Sequence, residues 1–224
     1  MTIESSKSLT VTGKSGQLCN KTVNVTAIQR GEAGTADYVA HLSTGQVKLL
    51  AIAAGNKKRH GDRNSLLIKF IYDGALRVSE TINITPDDIY QDNGGWLVKV
   101  LGKGNKPGVL ALSATMAAET QAFCYRHNIG RSQKIFNISR SQVFRIVDQA
   151  YKDAGIPCPT VEDDHVGRLH VLRHSGAIER LRLTGNPKAV QEQLRHKSAL
   201  MTLRYMKTIG HDEAIATQQK VDPW

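Results

Sequence analysis

The chain has 224 residues, with 30 Lys and Arg against 20 Asp and Glu, a formal net charge of +10 and a sequence pI of about 9.6. That length suits one large domain with a short appendage. The basic excess points to a polyanionic partner, nucleic acid ahead of a membrane surface, because no basic amphipathic helix stands apart from the core pattern. Cys19, Cys124 and Cys158, with no CxxC pair, offer neither a disulfide framework nor a zinc pattern and fit a reducing compartment. No leader-like apolar core opens the chain and no run approaches roughly 18 apolar residues, so the expected location is cytoplasmic, with no membrane partner.

Residues 1–40 are rich in Ser, Thr, Gly and Val, and Lys21–Thr26 alternates like one short strand. They read as an appendage, with a boundary near His41. Ser43 followed by Gln46 is a capping-box pattern, and Val47, Leu50, Ala51 and Ala54 then line one face of a helix that Gly55 ends. The stretch 56–63 (NKKRHGDR) reads as a basic exposed loop. Leu66–Tyr72 (LLIKFIY) reads as a buried helix. It runs into DGALRVSE, where a glycine-containing turn delivers Arg77 from the helix end with Glu80 on the same side. Thr85 to Ile89 reads as a turn or short helical start.

Trp96–Leu101 and Val109–Leu112 are strand-like around the turn GKGNKPG, 102–108. Two glycines flank Lys103 and let its backbone approach a ligand; an ordinary hairpin with solvated lysines is the alternative. Residues 114–127 suit a helix. Ser139 caps another, with Val143, Ile146, Val147 and Ala150 inward and Arg140 and Arg145 toward solvent. Gly155 closes it, and Glu162-Asp163-Asp164 makes a turn. A helix of about 14 residues is expected from near His170 to Leu183. Asn186 caps the next, with Pro187 at its first position. His196 follows that helix end, Leu200–Met206 is a helical piece carrying Tyr205, and Glu213–Lys220 is a short helix in a tail, 210–224.

Within 168–205 the chain concentrates His170, Arg173, His196 and Tyr205. His170 and Arg173, three apart on a helix, face the same way. A guanidinium fork binds two phosphate oxygens as lysine cannot, histidine moves protons near neutral pH, and a phenol is a covalent nucleophile once its proton is drawn off. Each residue alone also has a structural reading: a helix cap, an ion pair, a core aromatic with a wet hydroxyl.

Taken together, the chain resembles the tyrosine recombinase (phage integrase) family over roughly residues 42–207. GALRVSE is similar to the family's G-L-R-x-S-E box, GKGNK to its β-hairpin box, HVLRHS to H-x-L-R-H-[ST] and LRHKS to L-G-H-x-S, and Tyr205 lies nine residues after His196. The resemblance implies a mainly α fold with a small β-sheet or hairpin (α+β), the tyrosine recombinase catalytic-domain fold, over 41–209, with 210–224 able to dock on a neighbouring subunit. It implies a catalytic set of Arg77, Lys103, His170, Arg173, His196 and Tyr205, supported by Glu80 and His174, with no metal and no cofactor. In that reading Tyr205 attacks the scissile phosphate to give a 3′-phosphotyrosyl link. Lys106, Arg140, Arg145 and Arg195 are further candidates for touching DNA. The implied partner is double-stranded DNA with specific recombination sites, bound by a homotetramer that can be monomeric in solution, in a prokaryotic, phage or mobile-element setting.

Three departures stand out. Arg195 replaces the glycine usual before His196. Residues 108–112 lack the charged residue and proline usual after the lysine hairpin. Typical members also carry a helical core-binding domain at the N-terminus, which forty Ser/Thr/Gly-rich residues cannot form, so the chain is expected to be a short, catalytic-domain-type member, like the fimbrial-switch invertases, or a fragment. A type IB topoisomerase-like enzyme and a non-catalytic DNA-binding relative are the competing readings.

Overall fold

The computed structural model describes residues 38–102, 104, 106–159, 167–196 and 198–219. The expected strand at 21–26, Lys103 and the acidic turn at 162–164 lie outside the described residues. Helix α1 (Thr44–Gly55) starts at the capping box: the Ser43 hydroxyl accepts from the Gln46 N–H, and the Gln46 side chain accepts the Ser43 N–H at 2.9 Å. Helix α2 (Gly61–Gly74) begins earlier than its apolar run suggests. Gly61 to Arg63, read as loop, form its first turn because α1 and α2 meet there backbone to backbone. A Cβ on Gly61 would overlap the Gly55 carbonyl oxygen. Leu66, Leu67, Ile68, Phe70 and Ile71 are then fully enclosed, and Phe70 meets Phe136 edge-on.

The end of α2 sets the site. Ala75 adopts a left-handed conformation (φ 49°), and the Leu76 N–H reaches back to the Ile71 carbonyl at 3.0 Å. Holding a non-glycine residue there costs about 1–2 kcal/mol, which the burial of Leu76 helps offset. The chain leaves this turn extended at Arg77, enters the short helix α3 (Val78–Thr81), and passes a 3-10 turn at Pro86–Asp88.

Three antiparallel strands follow in the order β1-β2-β3: β1 (Ile89–Asp92), β2 (Gly95–Leu101) and β3 (Pro107–Leu112). The register pairs Val98 with Leu110 and Leu101 with Pro107 and turns Val98, Val100, Leu110 and Leu112 inward. Strand β1 is absent from the sequence reading because only Ile89 in it is buried. Its signal is the turn: Asn93 and Gly94 both have positive φ, as a two-residue type I′ hairpin requires.

Helices α4 (Ala114–Arg126) and α5 (Arg140–Ala154) are capped by Ser113 and Ser139, and α5 ends at left-handed Gly155. Helix α6 (Arg168–Thr184) is the centre of the molecule, with α2, α5, α7 and α8 packed on it. It runs somewhat longer at each end than the expected fourteen residues. Gly176 lies at its crossing with α2, where a Cβ would overlap the Tyr72 carbonyl oxygen. Gly176→Ala should therefore lower stability by about 1–3 kcal/mol, read as a drop in the urea midpoint. An unchanged midpoint would show that the two helices separate without cost.

Helix α7 (Pro187–Leu194) is capped by Asn186 as expected. Helix α8 (Leu200–Gln218) differs from expectation. The two helical pieces are one helix running through Gly210, so no structural break falls at 210. A glycine inside a helix costs about 1 kcal/mol, and tertiary bonds override it. The Val39 N–H donates to Thr208 Oγ1 at 3.0 Å, the Tyr38 hydroxyl donates to Asp212 Oδ1 at 3.2 Å, and His41 and Arg182 both reach Asp212 Oδ2. The fold is thus mainly helical with a small antiparallel sheet. Among the described residues no helix is long and apolar enough to cross a membrane, and no group of His, Cys, Asp and Glu could hold a metal ion.

Candidate active site

Glu80 is the hub. Its side chain has no solvent exposure and lies one turn into α3, where the α2 exit turn places it against α6 and the end of α7. The carboxylate accepts the Arg77 N–H and Arg77 Nη1, both at 2.9 Å. Arg173 Nη1 stands 3.7 Å away, and Arg195 Nη2 makes a closer contact. Three guanidiniums against one carboxylate leave a surplus of two positive charges. Arg173 also donates to the Leu194 carbonyl at 3.0 Å. Burial, and then the neighbouring Arg77 charge, bring the Arg173 pKa down to about 10, so it remains a cation at neutral pH. A surplus of geometrically held guanidinium, partly open to solvent at Arg77, calls for an anion with several oxygens.

Tyr205, on α8, lies beside this cluster. Its ring is fully buried in a small apolar pocket with Ala75, Ala177, Ile178 and Leu194. Its hydroxyl is 2.8 Å from His174 Nδ1. The His196 ring is centred 6.2 Å from the Tyr205 ring, and the His170 ring 6.3 Å from that of His174. Burial pushes the Tyr205 phenol up to about 12, against the opposing pull of Arg173, Arg204 and Arg77, so it holds its proton at neutral pH. His174 is brought down to about 3 by burial and then by the charges of His170 and Arg173. His196 is brought down to about 4 by burial and then by Arg173 and Arg77. Among the described residues, no group bonds the buried His196 Nδ1.

These two imidazoles carry a pH prediction. The unfolded chain takes up protons below about pH 6.5 that the folded chain refuses until about pH 4 or lower. The stability from this source is complete above about pH 6.5 and is lost as pH falls toward the folded values. For His174 the slope should approach about 1.4 kcal/mol per pH unit. His196 contributes less, being partly open to solvent. Urea unfolding at pH 7 and pH 5 measures it, and His174→Asn should flatten the difference. An equal pH dependence in that variant would place the proton uptake elsewhere.

Of the residues singled out in the sequence, Arg77, Glu80, Arg173, His174, His196 and Tyr205 converge here. His170 is exposed, one turn before His174 on α6. Lys103 lies outside the described residues, but its loop is closed by a Gly102 N–H bond to the Lys106 carbonyl at 2.8 Å. Lys106, Arg140 and Arg145 are exposed. Arg195, a candidate for touching DNA or altering the local backbone, points inward to Glu80. The sequence reading missed two partners: the Leu194 carbonyl, and His174 as the direct neighbour of the Tyr205 hydroxyl. The four-residue step from His170 to His174, which puts both on one helix face, was the available signal for the second.

Comparison with known proteins bears on the family and the fold. The profile of the Phage integrase family matches residues 41–209. The tyrosine recombinase XerH of Campylobacter jejuni is 30% identical over 169 residues, covering 73% of this chain and 46% of that protein. The chain spans about half the length of the curated relatives it matches. A post-cleavage complex of XerH with palindromic difH superposes with a TM-score of 0.64 at 18% identity, over 85% of this chain and 56% of that one. The catalytic domain of bacteriophage HP1 integrase superposes with a TM-score of 0.58 at 19% identity, over 80% of this chain and 94% of that one. The second likeness shows a shared fold along nearly the whole of a solved catalytic domain. The sequence boxes and the match across 41–209 lead to one conclusion: the chain belongs to the phage integrase family of tyrosine recombinases.

Proposed function

We propose that residues 41–209 form the catalytic domain of a site-specific DNA recombinase that cleaves and rejoins strands through a 3′-phosphotyrosyl intermediate. The observation that carries this reading is the surplus of held guanidinium around Glu80 beside a buried phenol. In the reaction the Tyr205 oxygen attacks the scissile phosphorus, its proton passing to His170 as general base. The bond from phosphorus to the 5′-oxygen breaks, and Lys103 protonates that leaving oxygen. Arg77 and Arg173 hold the non-bridging oxygens and stabilise the charge that develops on them. His196, whose Nδ1 no group bonds among the described residues, hydrogen-bonds the same phosphate. His174, held neutral, orients the phenol. The tyrosyl ester conserves the bond energy, so rejoining by the 5′-hydroxyl needs no ATP, and the arginines supply the positive charge.

Tyr205 is fully enclosed, so the start of α8 must shift to bring its hydroxyl to a phosphate. The partner is double-stranded DNA carrying specific sites, held by a homotetramer in which the end of α8 can dock on a neighbour. Lys106, Arg140 and Arg145 are the exposed cations offered to the DNA backbone. The test is a nicked suicide duplex drawn from the DNA flanking the gene. A denaturation-resistant protein–DNA adduct that maps to the Tyr205 peptide is the expected product. Absence of any adduct across those substrates sinks the reading. Supercoil relaxation without recombinants would assign a type IB topoisomerase-like enzyme instead.

A further inference from the structure

Arg195 is the residue whose chemistry this mechanism does not use, and its setting is unusual. It ends α7 in the left-handed conformation, φ 54° and ψ 44°. Glycine adopts that backbone freely, whereas a side chain there costs about 1–2 kcal/mol. The side chain leaves little to solvent, being 22% exposed. It runs from the end of α7 to Glu80 and on its way covers the root of the β2–β3 hairpin. A Cβ on Gly108 would lie 2.6 Å from Arg195 Nη1 and 2.7 Å from its Cδ, and one on Gly102 would lie 3.0 Å from Nη1. Neither glycine has positive φ, unlike Gly104 at the loop tip. Backbone conformation therefore does not require glycine at 102 or 108; a Cβ at either position would push the Arg195 side chain from its seat. The two glycines form a bare strip on which the guanidinium lies.

We propose that Arg195 is a positioning residue: it locks the hairpin root, at Gly102 and Gly108, onto the Glu80 cluster before DNA arrives. The proposal rests on the recombinase reading in one respect, that the loop so held, 102–106, carries the proposed proton donor Lys103. The pairing of Val100 with Gly108 and the Gly102–Lys106 bond transmit the hold to the loop. The lock also gives Glu80 a third cation, so hairpin position and the orientation of Arg77 and Arg173 depend on one carboxylate.

The test uses the full chain with Arg195→Gly, Arg195→Lys, Gly108→Ala and the double variant Arg195→Gly with Gly108→Ala. Glycine at 195 relieves the left-handed backbone, so global stability is not the deciding measurement. Amide hydrogen exchange in β3 should quicken about tenfold or more in Arg195→Gly as the hairpin root opens locally. Gly108→Ala should disturb the hairpin in the parent chain and add nothing to Arg195→Gly, because the clashing atoms are gone. At saturating DNA the adduct should form about ten to a hundred times more slowly in Arg195→Gly, as expected for a misplaced proton donor, with DNA affinity and its salt dependence unchanged. Arg195→Lys should restore little, since a lysine lacks the planar fork. The proposal is overturned if β3 exchange is unchanged, or if the two substitutions simply add. It is also overturned if Arg195→Gly weakens DNA binding and lowers the salt slope by about one, the mark of a lost phosphate contact. Exchange and coupling need no catalysis, so a parent chain that forms no adduct would fail the recombinase reading while leaving the hairpin lock decided by its own data.

Discussion

Replacing Tyr205 with phenylalanine is expected to remove covalent protein–DNA adduct altogether, a loss on the order of 10⁴-fold or more in cleavage. The substitution deletes one oxygen from a ring packed among Ala75, Ala177, Ile178 and Leu194, so the fold and the exposed cations are left in place and DNA affinity should match that of the parent chain. The structural consequence is local. His174 Nδ1 loses the partner 2.8 Å away, and a buried imidazole without its bond costs about 1–3 kcal/mol. The suicide duplex reads the chemistry, a gel shift reads binding, and urea unfolding reads the stability. An adduct that persists in the phenylalanine variant would transfer the nucleophile to another residue and end the assignment of Tyr205.

Glu80→Gln is expected to have the largest effect on stability, about 3–5 kcal/mol. The amide keeps the shape and one acceptor oxygen but removes the negative charge that three guanidiniums share. Arg173 bears most of the loss, because its side chain is 6% exposed, whereas that of Arg77, at 40%, is screened by solvent and contributes less. A change below about 1 kcal/mol in the urea midpoint would show that water already compensates the cluster. The variant also bears on chemistry. Arg77 is held by two bonds to the carboxylate, through its N–H and its Nη1, so its guanidinium fork should lose its fixed aim along with the stability. Excess phosphate in the buffer should then stabilise the variant more than the parent, since an anion can replace the missing charge.

Much of the helical framework was legible because its determinants are local. Ser43 with Gln46, Ser139 with Gln142, and Asn186 with Ala189 set helix starts through bonds spanning three residues, and Gly155 closes α5 through its own left-handed φ. The errors all lie where a distant contact overrode a local preference. Gly61 belongs to a helix because α1 passes against it. β1 exists because β2 pairs with it. α8 passes through Gly210 because Tyr38, Val39, His41 and Arg182 bind the helix around it.

The candidate site divides along the same line. The sequence by itself supplied the candidate groups and their spacings: Arg77 three positions before Glu80, His170 three before Arg173, and Tyr205 nine after His196. Residue type and helical spacing suffice for these, since three or four positions make one turn. Only the tertiary structure decided which charge is shared, which way Arg195 points and whether the phenol meets water. Glu80 and Arg195 are separated by 115 positions, and no local rule joins them. Arg195 stands out because it replaces the glycine usual before His196, which makes it a candidate either for altering the local backbone or for touching a phosphate. It turned inward because a buried carboxylate on one side and two side-chain-free glycines on the other leave that path open. Tyr205 is buried because Val39, Ala177, Ile178, Val190 and Leu194 close around it from different parts of the chain. Burial and charge sharing are sums over everything nearby in space, and nearness in space is what the order of residues does not state.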